Sequence, residues 1–274
     1  SSEKPMVLVD PKNGKALGAS APAMKDGKDV GTYTVDETTG KVTFTPNKDF
    51  TGTADPIVVQ VIEKATGKAI AGLKYTPTVT PVTPTGEDVT TTGKQGKVQT
   101  GTPKFTEGDS EVPLKVDADQ PAKFVVNGNA VDDTTIDATK DGAKVGTYTL
   151  DPLTGEVTFT PNKDFVGTPD AVTVQVKDEN GTSATAKYTP TVTAVTPTGE
   201  DVSTTGKQGK VQTGTPKFTE GDAEVPLKVD ADQPAKFVVN GTAVDDTMID
   251  AMKDGAKVGT YTINPLTGEV TFTP

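Results

Sequence analysis

The stretch Gly146–Pro161, GTYTLDPLTGEVTFTP, decides the fold. Tyr148 and Leu150 alternate with Thr147 and Thr149, and Val157 and Phe159 alternate with Thr158 and Thr160. That is period two in β-branched and aromatic residues, the pattern of two half-buried strands. Between them, Asp151-Pro152-Leu153-Thr154-Gly155 supplies a turn. Pro152 pre-sets φ, and Gly155 is free to take the positive φ that closes a bulged hairpin loop. Pro161 has no N–H to donate and marks the end of the ladder. The same hairpin stands at Gly31–Pro46 (GTYTVDETTGKVTFTP) and at Gly259–Pro274 (GTYTINPLTGEVTFTP). Three copies in one chain predict a repeat protein, so the period has to be read before any site.

Working outward, Val82–Pro161 returns as Val195–Pro274, a period of about 113 residues. The two copies differ only at Thr90/Ser203, Ser110/Ala223, Asn129/Thr242, Thr135/Met248, Thr139/Met252, Leu150/Ile263 and Asp151/Asn264. The reading is a partial repeat over residues 1–80, a complete one over 81–193 and a partial one over 194–274. The first is expected to lack its N-terminal strands and the third its last two, as in a piece of a longer protein. A unit of this length can bury its own core.

In the complete repeat, strands are expected at Val98–Phe105, Val112–Val116, Lys123–Val126, Val145–Leu150, Glu156–Thr160, Val172–Lys177 and Ala184–Val192, with turn residues between them. Asp133–Lys140 has room for one helical turn. In residues 1–80, Met6–Val9, Ile57–Val61 and Ala71–Val79 read as strands, Ala16–Lys25 as a small-residue loop and Lys64–Lys68 as a turn. Thr76–Gly86 (TPTVTPVTPTG) favours extended chain. With polar Glu87–Lys97 it reads as the connection between units, ordered structure resuming at Val98. The fold expected is all-β: tandem antiparallel β-sandwich repeats, immunoglobulin-like, forming an elongated rod.

Composition narrows function by exclusion. The 274 residues carry a net charge of −11. Nucleic acid and anionic membranes both call for a basic face. There is no Cys, His, Trp or Arg, so disulfides, thiol chemistry and the usual general base and zinc ligand are all missing. A Cys-free, Thr-rich, lysine-only β chain suits the surface of a Gram-positive bacterium, or else the cytosol. The sequence shows neither a signal peptide nor a transmembrane run.

The segments TTGKQGKVQTGTPKFTEGD (Thr91–Asp109), GTYTLDPLTGEVTFTPNKDFVGT (Gly146–Thr168) and VTVQVKDENGTSATAKYTPTV (Val172–Val192), with their partial copies, resemble the CshA-type fibril repeats of streptococcal cell-wall-anchored fibrillar adhesins. The resemblance covers essentially the whole chain. It implies a tandem array of β domains in a long surface fibril, extracellular and wall-anchored through a segment outside this sequence. Ligand binding in such adhesins is credited to a non-repetitive N-terminal region. VDETTGK at Val35–Lys41 and the segment Ile62–Ile70 depart from the pattern without breaking the strand alternation.

Candidate chemistry is thin. Asp117/Asp119, Asp230/Asp232 and Asp178-Glu179-Asn180-Gly181 offer oxygen ligands, but calcium takes six to eight. Glu63–Gly67 in the first repeat has lost most of those at Asp178–Gly181, and Glu87-Asp88 and Glu200-Asp201 at the junctions offer fewer still. No metal or other cofactor is assigned. A Lys–Asn isopeptide bond would need an Asn shared by the repeats. Asn129 becomes Thr242, Asp151 becomes Asn264 and Glu156 is matched by Lys41, which leaves Asn127 and Asn162, both in turns. Without His, Cys or a phosphate loop, no catalytic residue is assigned and no enzyme is expected.

The function expected is a structural stalk that holds a distal adhesive head away from the cell. Its partners are neighbouring repeats, with host or bacterial ligands engaged by other regions. The alternative is that the repeats themselves bind a matrix protein, a glycan or another bacterium, with avidity from repetition. Head-to-tail complementation between partial repeats of neighbouring molecules is a subsidiary expectation.

Overall fold

A computed structural model describes residues 6–62 and 65–274, and every regular element among them is a strand. In the middle repeat the core strands form two main sheets, with Thr85–Glu87 and Lys104–Thr106 as a separate two-stranded pair. One runs in the order Val89–Lys94, Ser183–Thr193, Val172–Asp178, Lys123–Val126, Asn129–Val131, with Leu114–Lys115 also on Val172–Asp178. The other runs Gln99–Gly101, Val157–Pro161, Ala143–Leu150, Thr135–Lys140. Alternation decides what each contributes. Phe124, Val172, Val174, Val176 and Tyr188 point inward from the first sheet, and Ala138, Tyr148, Leu150, Val157 and Phe159 from the second, into one core. Burying each large apolar side chain contributes about 1.5–3 kcal/mol.

The hairpin pairs as its sequence implies. Tyr148 lies opposite Phe159, with ring centroids 5.3 Å apart and planes tilted by 39°. Gly155 has φ 77°, and its N–H donates to the Asp151 carbonyl at 2.8 Å. Gly146 sits where a Cβ would come within 2.4 Å of the Thr160 carbonyl oxygen, so only glycine lets the arms close here. The Tyr148 hydroxyl donates to the Asp170 carbonyl at 2.7 Å, and Tyr33 does the same to Asp55 in the first repeat.

The first repeat packs Ala16–Gly18, Val7–Val9, Ile57–Ile62 and Ala69–Tyr75 against Ser20–Lys25, Lys28–Val35 and Val42–Pro46, around Leu8, Tyr33, Val35 and Ile57. The third repeat keeps the hairpin sheet, Gln212–Gly214, Val270–Thr273, Ala256–Ile263 and Met248–Lys253, in the register of the second. The chain holds no counterpart there of Val172–Asp178 or Ser183–Thr193. Tyr261 is accordingly 39% exposed where Tyr148 is 2%.

Several local readings are corrected. Val89–Lys94 is a strand rather than a connection, and it lies parallel to Ser183–Thr193, with Val89 opposite Tyr188 and Lys94 opposite Thr193. The reason is a partner about a hundred residues away. The near-identical Val202–Lys207, with no such partner in this chain, forms no strand. Thr135–Lys140 is a strand, not a helical turn. β-branched Thr135, Ile136 and Thr139 pair it with Ala143–Leu150 across Asp141-Gly142, whose φ values of 51° and 79° suit a tight hairpin. Ala16–Lys25 is likewise two strands, Ala16–Gly18 and Ser20–Lys25. Val98–Phe105 breaks at Thr102-Pro103 into Gln99–Gly101 and Lys104–Thr106, which join different sheets. Val112–Val116 shortens to Leu114–Lys115. The expected turn at Lys64–Lys68 lies partly outside the described residues.

Candidate functional site

The segment Thr76–Lys97, read above as connection, is pinned on its downstream side. Thr85–Glu87 pairs with Lys104–Thr106, and Thr198–Glu200 pairs with Lys217–Thr219 in the same register. The connection then passes over a glycine. A Cβ on Gly108 would lie 2.5 Å from the Thr83 carbonyl oxygen, and one on Gly221 would lie 2.4 Å from that of Thr196. Backbone-on-backbone contact this close admits no side chain. Both junctions use the same device.

The upstream repeat holds the second junction as well. Gln95 N–H donates to the Thr193 carbonyl at 2.9 Å, its Nε2 donates to the Lys163 carbonyl at 3.2 Å, and its Oε1 accepts from Val195 N–H at 3.3 Å. Beside it, Lys94 Nζ reaches Asp222 at 2.8 Å and Glu224 at 3.1 Å in the third repeat. Hydrogen bonds to Asp222 and then Glu224 raise the Lys94 ammonium above its ordinary value. Lys94 first, with the Glu224 backbone N–H, lowers the Asp222 carboxyl. Exposed pairs of this kind orient more than they stabilise. Asp109 and Glu111 occupy the same places at the first junction, where the chain holds no counterpart of Lys94.

The residues singled out from sequence do not converge. Asp117 Oδ1 accepts from Asp119 and Gln120 N–H, and Asp230 repeats this with Asp232 and Gln233. Asp178 is fully buried, and its Oδ1 accepts the N–H groups of Asn180 at 2.9 Å and Thr182 at 2.8 Å to close a hairpin. Each is a local turn. Among the described residues, no three acidic side chains are placed to hold a metal ion. Asn127 has φ 51° in a two-residue turn, and Asn162 donates from Nδ2 to the Lys144 carbonyl at 3.1 Å. Lys94, Asp222 and Glu224 were missed. Lys94 lies more than a hundred residues from the two acids in sequence, and only the repeat period, laid over the turn Glu220-Gly221-Asp222, could have flagged them.

Stacked units of one sandwich design, joined by pinned connections, define a tandem β-sandwich repeat protein. The surface adhesin CshA repetitive domain matches residues 1–79, 81–192 and 194–274, and the chain belongs to that family. The family is one of surface adhesins, which puts the chain at the cell exterior; among the described residues no helix is long and apolar enough to cross a membrane. No curated protein matches. Solved structures with some likeness include the N-terminal eight immunoglobulin domains of Down syndrome cell adhesion molecule. That match has 12% identity and a TM-score of 0.29, over 99% of this chain and 33% of that one. Domains EC22–24 of mouse cadherin-23 give 12% identity and a TM-score of 0.29, over 98% of this chain and 75% of that one. The chain spans a third of the length of the first of these.

Proposed function

We propose that this chain is a stalk segment of a bacterial fibrillar adhesin, wall-anchored on a streptococcal or related Gram-positive surface and spacing a distal head from the cell. The observation that carries this is the repeated junction. Each connection is threaded over a glycine and paired into the downstream repeat, which favours a defined step from unit to unit over a loose tether. Length then scales with copy number. Burial of the middle repeat's aromatics speaks for the same reading: Tyr148, Phe159 and Tyr188 are all at 2% exposure or less, so they are not offered to a glycan. The repeats are not catalytic on this reading. The test is binding of the chain to matrix proteins, glycan arrays and whole bacteria. No saturable binding is expected, and saturable binding by the repeats alone would replace the stalk with a multivalent binding module.

A further inference from the structure

We propose that the middle repeat is a force-bearing unit, with Val89–Lys94 and Ser183–Thr193 as a shear clamp that resists a pull along the fibre. The proposal rests on the stalk reading, since only a fibre under tension loads it.

The argument begins with direction. Beyond the short antiparallel pair of Thr85–Glu87 with Lys104–Thr106, the chain enters the main sheets of the repeat through Val89–Lys94 and leaves them through Ser183–Thr193. These are the one parallel pair among the described strands. In a parallel pair, entry and exit lie at opposite ends of the shared ladder. A pull on the two ends drives the strands past one another along their length, and the rungs across all six register pairs, Val89/Tyr188 to Lys94/Thr193, share the load together. An antiparallel terminal pair would bring entry and exit to one end, and its rungs would open singly.

The ladder's parity follows from its last rung. Gln95 N–H donates to the Thr193 carbonyl at 2.9 Å. Carried back by alternation, the N–H groups of Thr91 and Gly93 face the partner, and those of Thr90 and Thr92 face the open edge of the sheet. The other end agrees: Lys187 N–H, the next odd position on the exit strand, is taken by the Asp88 carboxylate at 2.7 Å. Pro190 sits within the exit strand at an even position, where its missing N–H removes nothing from this ladder.

Side chains then bolt the two strands together from within. Thr91 Oγ1 donates to Gln99 Oε1 at 2.7 Å and lies 2.7 Å from the Tyr188 hydroxyl. Gln99 Nε2 donates to the Thr191 carbonyl at 3.0 Å, and Thr193 Oγ1 donates to the Gly93 carbonyl at 3.1 Å. Gln99 is 7% exposed and Tyr188 is fully buried. Room for this network comes from two glycines. A Cβ at Gly93 would lie 2.7 Å from the Gln99 side chain, and one at Gly101 would lie 2.4 Å from the Tyr188 ring. Burial of Gln99 and Tyr188 limits water's access to the bonds they make as the strands begin to slide, whereas the Thr193–Gly93 bond is exposed. The third repeat has the Thr204–Gln212 half of the latch at 2.8 Å but no parallel partner in this chain, and it holds no clamp.

The test is single-molecule pulling of the whole chain in two geometries. Handles at the two termini load the pair in shear. A handle at Lys97→Cys, unique in a cysteine-free chain, with the other at the C-terminus, pulls from the shared end and loads the same pair as a zipper. The event is identified by its contour, roughly 350 Å for Val89–Thr193 in shear and roughly 330 Å for the stretch from Lys97 to Thr193 in the zipper geometry. The expected shear force is at least about twofold the zipper force, because the rungs fail together in one geometry and one by one in the other. Thr91→Pro should lower the shear force and leave the zipper force nearly unchanged, whereas Thr92→Pro should leave both. Should the prolines unfold the repeat, Thr91→Val tests the latch alone and should lower only the shear force. Equal forces in the two geometries would overturn the clamp. They would leave the stalk reading standing, because its length does not depend on how the repeat fails.

Discussion

Phe159 and Phe272 are the same residue in the same hairpin with different covers, and replacing each by alanine measures what the second sheet contributes. Phe159 is fully buried, and Tyr148 lies 5.3 Å away, ring to ring. Phe272 keeps the same neighbour, Tyr261 at 5.4 Å, but it is only half-buried because no sheet closes over it. Truncating a buried Phe costs about 3–5 kcal/mol, the sum of lost transfer energy and the cavity left behind. Phe272 is already partly exposed, so its removal should cost less, about 1–2 kcal/mol. The difference, about 2–3 kcal/mol, is the share of the covering sheet, since the contacts inside the hairpin cancel. The chain holds several repeats and will not unfold in one step, so a single midpoint is the wrong readout. Hydrogen exchange at the amides of Ala143–Leu150 and Ala256–Ile263 reads each hairpin locally. Equal losses at the two sites would refute the packing of the two sheets around Phe159.

Other consequences are equally specific. Asp178→Ala should cost about 2–4 kcal/mol, because it strands the N–H groups of Asn180 and Thr182, whereas Asp178→Asn keeps the acceptor and should cost less; urea unfolding followed by exchange in Val172–Asp178 checks both. Gly221→Ala should drive the connection off its seat at a cost of about 1–3 kcal/mol, seen as lost exchange protection at Thr198–Glu200 with none lost in the core of the middle repeat. Burial first, with Tyr75 and Asp55 adding to it, pushes the Tyr33 hydroxyl up to about 12. Its contribution is fully present below the ordinary tyrosine value near 10 and lost as pH rises toward 12, so alkaline unfolding of the first repeat should track that window by tyrosinate absorbance and circular dichroism. Lys94 is raised and Asp222 lowered, so their bridge should hold across neutral pH. It should loosen only as pH falls below the ordinary aspartate value of 3.8 or rises above the ordinary lysine value of 10.5, and at high salt, as read by paired spin labels across the second junction.

The all-β class and the hairpins were legible because their signals are local. Tyr148, Leu150, Val157 and Phe159 alternate, and a proline and a glycine punctuate the loop between them. Strand Val89–Lys94 was not legible. VTTTGK is polar, contains a glycine and carries no alternation of apolar residues, so nothing in it announces a strand until Tyr188–Thr193 lies alongside. Its copy Val202–Lys207 makes the point within one molecule: nearly the same residues, no partner, no strand. Thr135–Lys140 escaped for a related reason, since Asp137 and Ala138 interrupt its β-branched run and only the tight Asp141-Gly142 turn commits it. The junction pair was hidden by distance. Lys94 and Asp222 are ordinary surface charges in sequence, and they become partners only once two repeats stack.

Solution scattering on this chain, and on the same chain lengthened by one more copy of residues 81–193, tests the stalk most directly. The long strand Ser183–Thr193 runs along the repeat and spans about 36 Å. The account predicts that the added copy lengthens the maximum dimension by a fixed step of about 35–45 Å while the cross-section stays constant. A maximum dimension that barely grows, with the added mass taken up in a wider particle, would contradict it.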